Sequence, residues 1–209
     1  MPNEFVLKSV FGAGGSQVLC VKDKKKLNKE EFMRIAKKYS ENVYPIPVEY
    51  SKEKLLIEEL LSDNNNYTSM PDYKFFCSFG KVAFASFETG SGTARAADKK
   101  ISFYYAESWK KIPLLLRRQS VDFDSRPRQL NKMIELSKIL SKNLPLIRVD
   151  LYECNNKVYF GELTLYSGHA LSIFKPTIWD YKLGKMVGKV VSIEKLNNMI
   201  DNNNANVVE

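Results

Sequence analysis

Short strand-like runs dominate the hydrophobic pattern, broken by a few stretches with helical spacing. Phe5-Val6-Leu7-Lys8 and Gln17-Val18-Leu19-Cys20-Val21 read as strands flanking a glycine-rich loop, Gly12-Ala13-Gly14-Gly15-Ser16. A helix follows. Asn28 and Glu31 form a capping box, and Phe32, Ile35, Ala36 and Tyr39 make its apolar stripe. Pro45 and Pro47 close that unit, and residues 54–61 form a short apolar run ending on paired glutamates. Residues 73–79 and 81–87 predict a hairpin turning at Gly80, and residues 101–106 another strand. Between them, residues 90–100 lack periodicity and read as a mobile loop. Pro127 suits the first turn of a second helix whose apolar positions are Leu130, Met133, Ile134 and Leu140. A last helix is expected around Ile193 to Ile200, before a disordered asparagine-rich tail. Antiparallel hairpins with helices in separate blocks argue an α+β fold rather than a doubly wound sheet.

Between the second and last helices lies the most informative pair. Asp150, in Ile147-Arg148-Val149-Asp150, and Glu162, in Phe160-Gly161-Glu162-Leu163-Thr164, sit in two strand-like runs joined by the turn residues Asn155-Asn156. Two carboxylates facing each other at ~4 Å repel by about 4 kcal/mol at an effective dielectric of ~20. A divalent cation turns that cost into a binding site, and magnesium favours a few carboxylates together with substrate phosphates. Register tests the idea. A two-residue Asn155-Asn156 turn pairs Asp150 with Gly161 and sends Glu162 to the other face. The two acids meet only if the loop holds an odd number of residues or a bulge intervenes. The alternative is a solvated hairpin with an acidic face.

Composition narrows the classes. At 209 residues, with 44% apolar and 27% charged content, the chain is long enough for one domain or two small lobes. No apolar run approaches the ~20 residues of a membrane span, and no signal-peptide pattern opens the sequence, so a cytoplasmic location is expected. Cys20, Cys77 and Cys154, each in an apolar run, read as reduced core thiols. No pair of them has zinc-ligand spacing. The net charge of +8 suggests an anionic partner, but no nucleic-acid motif stands behind it.

Three motifs carry further chemistry. Gly12, Gly14 and Gly15 let successive N–H groups point at an anion, and Lys8 can reach the same phosphates, or the loop is simply a hairpin turn. No Walker sequence is present. Leu56-Ile57-Glu58-Glu59-Leu60-Leu61 offers a strand edge able to hydrogen-bond an adenine, or simply two solvated acids. In Met70-Pro71-Asp72-Tyr73-Lys74, Asp72 can accept from a ribose and Lys74 can meet a phosphate, with surface charge as the plain alternative.

The order of these pieces resembles the ATP-binding core of the ATP-grasp superfamily, and more closely the TupA-like ATP-grasp family of bacterial polysaccharide biosynthesis. The resemblance is carried by Phe5-Val6-Leu7-Lys8 with its glycine loop, Pro71-Asp72-Tyr73-Lys74-Phe75-Phe76-Cys77, Arg148-Val149-Asp150-Leu151-Tyr152, Tyr159-Phe160-Gly161-Glu162-Leu163-Thr164 and Trp179-Asp180-Tyr181-Lys182-Leu183-Gly184. It implies an ATP-grasp domain over 1–185, with one lobe about 1–61, another about 70–185, antiparallel sheets gripping ATP between them, and a C-terminal helix and tail over 186–209. It further implies that Lys8, Gly12, Gly14, Gly15 and Ser16 hold the phosphates, that Glu58, Glu59, Leu60 and Leu61 line the adenine, and that Asp72 takes the ribose. Lys74 and Arg148 would neutralise charge growing during transfer, and Asp150, Glu162 and Thr164 would bind Mg2+.

The implied reaction is ADP-forming ligation of a carboxylate to an amine through an acyl phosphate, for example a uronic acid joined to an amino acid. Two departures qualify it. Thr164 stands where many such enzymes place a metal-binding Asn. The fuller members also carry a segment before the Lys8 strand with much of the substrate platform, so an N-terminal substrate domain is expected to be absent here: either the chain is a fragment, or another protein or a homodimer mate supplies the platform. A glycosyltransferase, disfavoured by the lack of a βαβ start, and a non-catalytic nucleotide-binding module are the competing readings. His169, just beyond the acidic hairpin, is a weak candidate for substrate contact.

Overall fold

The computed structural model describes residues 2–10, 17–41, 55–62, 70–89, 100–116, 126–165 and 174–187. The glycine loop, His169 and the helix expected at 193–200 lie outside these residues. The chain divides into two compact units, Met1–Pro71 with Thr89–Lys99, and Asp72–Glu88 with Lys100–Glu209.

In the first unit, β1 (Phe5–Ser9) is the middle strand of an antiparallel sheet, flanked by β2 (Val18–Val21) and β3 (Leu55–Glu59). Helix α1 (Lys29–Glu41) begins where Asn28 Oδ1 accepts a 3.0 Å bond from the Glu31 N–H, which fills an otherwise orphaned helix donor. It lays Phe32, Ala36 and Tyr39 over Phe5, Leu7, Leu19, Val21 and Leu55. Phe5 and Phe32 meet edge to face at 6.0 Å. Residues of β1 that alternate with this core, Val6 and Lys8, face away from α1 together with Cys20 and Glu58. Cys20 is therefore exposed rather than a core thiol, because its place in the pleat is opposite to the helix.

The second unit is built on a six-stranded sheet in the order β10-β9-β4-β5-β6-β7, where β4 is Asp72–Ser78, β5 Lys81–Thr89, β6 Lys100–Tyr104 and β7 Lys111–Ile112. β9 (Ile147–Cys154) and β10 (Lys157–Thr164) complete it. A two-residue turn joins β4 to β5, with Phe79 (φ 46) and Gly80 (φ 76) both left-handed, as the twist of a tight hairpin requires. Helix α2 (Leu130–Leu140) covers one face, packing Leu130, Met133 and Ile134 on Tyr73, Phe75, Cys77, Val149 and Leu151.

Two expectations for α2 change. Pro127 precedes the helix rather than opening it. Leu140 is 37% exposed, while Ser137 and Ser141 are fully buried. At about 100° per residue the stripe through 130, 133, 134 and 137 runs on to 141, leaving 140 on its flank.

A small antiparallel pair, β8 (Leu115–Leu116) and β11 (Phe174–Lys175), leads to α3 (Ile178–Val187). Its Trp179 and Leu183 pack on Phe84, Phe103, Ile112 and Leu114. Sequence spacing did not predict this helix: that (i, i+4) pair is a short apolar signal, and Gly184 lies inside it. Among the described residues no helix is long and apolar enough to cross a membrane.

Candidate functional site

Alternation along β4 and β9 sorts chemistry from core. Tyr73, Phe75 and Cys77, with Ile147, Val149 and Leu151, turn toward α2, so Asp72 and Lys74, with Arg148, Asp150 and Tyr152, share the opposite face. Ser86 and Glu88 join them there, opposite Lys74 and Asp72 respectively.

The β9–β10 hairpin decides whether Glu162 belongs to this group. Its turn is a clean two-residue one, Asn155 (φ 49) and Asn156 (φ 61), which by itself would pair Asp150 with Gly161. Instead the register runs Phe160 to Leu151 and then Glu162 to Asp150, with Gly161 as the extra residue of a bulge. A Cβ at 161 would stand 2.8 Å from Tyr152 Cε2 and 3.0 Å from the Asp150 carbonyl oxygen, so the bulge accepts only glycine without movement. The inserted residue turns Glu162 and Thr164 onto the face of Asp150 and Arg148.

The side chains there form one network. Arg148 Nε donates to Asp150 Oδ1 at 2.6 Å, and Nη2 donates to Asp150 Oδ2 at 2.8 Å. The same Nη2 lies 2.7 Å from Glu162 Oε1 and 2.9 Å from Thr164 Oγ1, while the Thr164 hydroxyl donates to Glu162 at 2.7 Å. Lys74 Nζ sits 2.6 Å from Asp150 Oδ2 and 3.3 Å from Asp72 Oδ2. Burial opposes the charge of Lys74, yet Asp72, Glu88 and Asp150 outweigh it and its pKa rises. Arg148 follows the same logic, held cationic by Asp150 and Glu162 against burial. Burial pushes Glu88 upward, Lys74 and Arg148 oppose it, and Asp72 and Asp150 add to the rise. Burial and then the nearby carboxylates raise Tyr152 as well.

Four carboxylates thus face two cations. The donor set fits a hard cation. Three oxygens converge within 2.9 Å of Nη2, which has two N–H groups to offer them. Buried Asp72 Oδ1 has no hydrogen-bond partner among the described residues. No group of three or more His, Cys, Asp or Glu side chains forms a ready-made metal cage among the described residues. Two carboxylates and a hydroxyl, completed by phosphate oxygens and water, match what Mg2+ takes.

In the first unit Lys8 makes an ion pair with Glu58. Of the two adjacent glutamates only Glu58 shares the Lys8 face, since Glu59 lies opposite Phe5. Leu60 and Leu61 follow the strand and are half-buried. Gly12, Gly14, Gly15 and Ser16 lie outside the described residues. Sequence reasoning passed over Ser86, Glu88 and Tyr152. The signal was present in the alternation of Ala85 and Phe87 against Ser86 and Glu88, read only for its apolar half.

A family model described as TupA-like ATPgrasp matches residues 1–188. Among solved structures, the chain is similar to a D-alanine–D-alanine ligase from Bacillus anthracis complexed with ATP, at 13% identity over 88% of this chain and 50% of that one (TM-score 0.47). A D-alanine–D-alanine ligase from Helicobacter pylori matches at 16% identity over 80% and 44% (TM-score 0.41). The ATP-grasp ligase PsnB complexed with a minimal precursor matches at 12% over 78% and 40% (TM-score 0.42). The chain spans half or less of the length of these three proteins. No curated protein matches it.

Proposed function

The chain belongs to the TupA-like ATP-grasp family, and from that premise we propose that it acts as an ATP-dependent, ADP-forming carboxylate–amine ligase. The observation that carries this reading is the Gly161 bulge, which sets Glu162 and Thr164 beside Asp150, Arg148 and Lys74. A solvated hairpin needs no such bulge, whereas a phosphate and metal site needs both acids on one face.

ATP would bring its phosphates to this face, with Asp72 accepting from the ribose; for the first unit, the family implies that Lys8 and residues 12–16 hold phosphates and that Glu58 to Leu61 line the adenine. Asp150, Glu162 and Thr164 would hold Mg2+, which when bound neutralises the β- and γ-phosphate oxygens. An acceptor carboxylate oxygen attacks the γ-phosphorus, the bond to the β,γ-bridging oxygen breaks, and ADP leaves. An amine then attacks the acyl phosphate carbon, the C–O bond to phosphate breaks, and the amine gives up a proton as the amide forms. Arg148 and Lys74 contribute by placing positive charge where negative charge is passed from one oxygen to another. Positioning does the rest, because no nucleophilic side chain is required.

The acceptor we propose is an acidic sugar such as a uronic acid, joined to an amino acid during cytoplasmic assembly of a cell-surface polysaccharide. ADP release tests the reading: uronic acids should stimulate it, and amines should then raise it further with amide formation. Magnesium-dependent ATP binding without ADP release under any acceptor would favour a nucleotide-binding module, the reading that Thr164 in place of an amide ligand supports.

A further inference from the structure

Arg148 occupies the position in the network that a metal ion would contest. Its Nη2 is the meeting point of Asp150 Oδ2, Glu162 Oε1 and Thr164 Oγ1, at 2.8, 2.7 and 2.9 Å. A planar guanidinium with two N–H groups on that nitrogen serves three acceptors poorly, whereas a compact point cation has no such directional limit. The Asp150 side chain is only 2% exposed, so it cannot be left without a positive partner. Lys74, already 2.6 Å from the same carboxylate oxygen, further discourages an incoming cation.

Resting on the nucleotide reading above, we propose that Arg148 is a resident counter-cation for these three oxygens, exchanged for Mg2+ only when nucleotide phosphates arrive. The exchange has a reason to wait. Mg2+ alone must draw the guanidinium away from Asp150, Glu162 and Thr164 without offering it a new anion in their place. With nucleotide present, the released fork has phosphate oxygens, its preferred bidentate partners. Metal and nucleotide therefore bind cooperatively, each strengthening the other by the same factor, with Arg148 as the coupling element.

Calorimetry on the full chain tests this with three titrations: Mg2+ alone, ADP alone, and ADP in saturating Mg2+, each with wild type, Arg148→Gln and Arg148→Lys. In wild type Mg2+ alone should bind weakly, and Mg2+ should tighten ADP about tenfold or more. In Arg148→Gln, Mg2+ alone should bind about tenfold tighter and the coupling factor should shrink. Arg148→Lys keeps the charge but not the fork, so tighter Mg2+ binding there separates displacement of a fitted side chain from simple charge removal. It also carries the test if the Gln variant does not fold. ADP binding that persists while Mg2+ alone binds both variants no better than wild type would overturn the exchange and leave the nucleotide site standing. Absence of ADP binding to wild type would overturn both.

Discussion

Gly161→Ala is the smallest change that reaches the centre of this account. The added methyl would lie 2.8 Å from the Tyr152 ring, 3.0 Å from the Asp150 carbonyl oxygen and 3.4 Å from its carbon. The ring can pivot. The Asp150 backbone cannot, because β9 is paired on its other side with β4, Lys74 opposite Asp150. Relief must come from β10, the edge strand. Either the bulge opens outward, or the extra residue is expelled and the strand end slips, sending Glu162 and Thr164 to the other face. Overpacking of this kind costs about 1–3 kcal/mol. At roughly 2–4 °C per kcal/mol for a chain of this size, the melting temperature should fall by about 2–12 °C. Slippage also removes the Glu162 and Thr164 contacts to Arg148, so magnesium-dependent nucleotide affinity should drop by about tenfold or more, a loss of at least ~1.4 kcal/mol. Thermal melts followed by circular dichroism and calorimetry with a non-hydrolysable ATP analogue read the two effects. An alanine variant that melts with wild type and binds nucleotide and Mg2+ equally would refute the reasoning.

Other perturbations separate the parts. Lys74→Met leaves Asp72 and Asp150 without the cation between them and should destabilise by about 3–5 kcal/mol in urea titrations, whereas Lys74→Met with Asp72→Asn should recover part of it; equal losses would argue against the pairing. Lys8→Ala should weaken ATP more than adenosine, and parallel losses would remove its phosphate role. Burial pushes the Cys77 thiol from its ordinary 9.0 up to about 11. A raised folded pKa favours the neutral thiol, so this stabilisation is complete below pH ~9 and is lost as pH rises toward 11, on the order of 2–3 kcal/mol in all. A Cys77→Ala chain should show a shallower loss over that window. Exposed Cys20 should react with a thiol reagent in the native protein while Cys77 and Cys154 stay protected.

Much of the architecture was legible because it rests on period and turn chemistry. Alternation placed β1, β2, β4, β5, β9 and β10, and the Asn28 cap marked where α1 starts. What escaped rests on neighbours in space. Nothing in one strand says which face its partner strand and helix will cover, so an apolar run by itself puts Cys20 in the core and gives no weight to the polar half of β5. Helix α3 depends on two side chains finding Phe84 and Leu114 across the sheet, a tertiary contact with weak local signal. The bulge was legible only as a condition: two acids could share a face if one residue were inserted. Gly161 is that insertion, at a point where a side chain would meet Tyr152 and the Asp150 backbone. The predicted metal ligands were brought together, but around Arg148, an arrangement that spacing along the chain cannot convey.

The most direct test of the central claim is calorimetric titration of a non-hydrolysable ATP analogue into wild type and Asp150→Asn, with and without Mg2+. The account predicts magnesium-dependent binding to wild type, and loss of that dependence in an Asp150→Asn protein whose circular dichroism is unchanged. Equal, magnesium-dependent affinity in both proteins, or no binding to wild type, would contradict it.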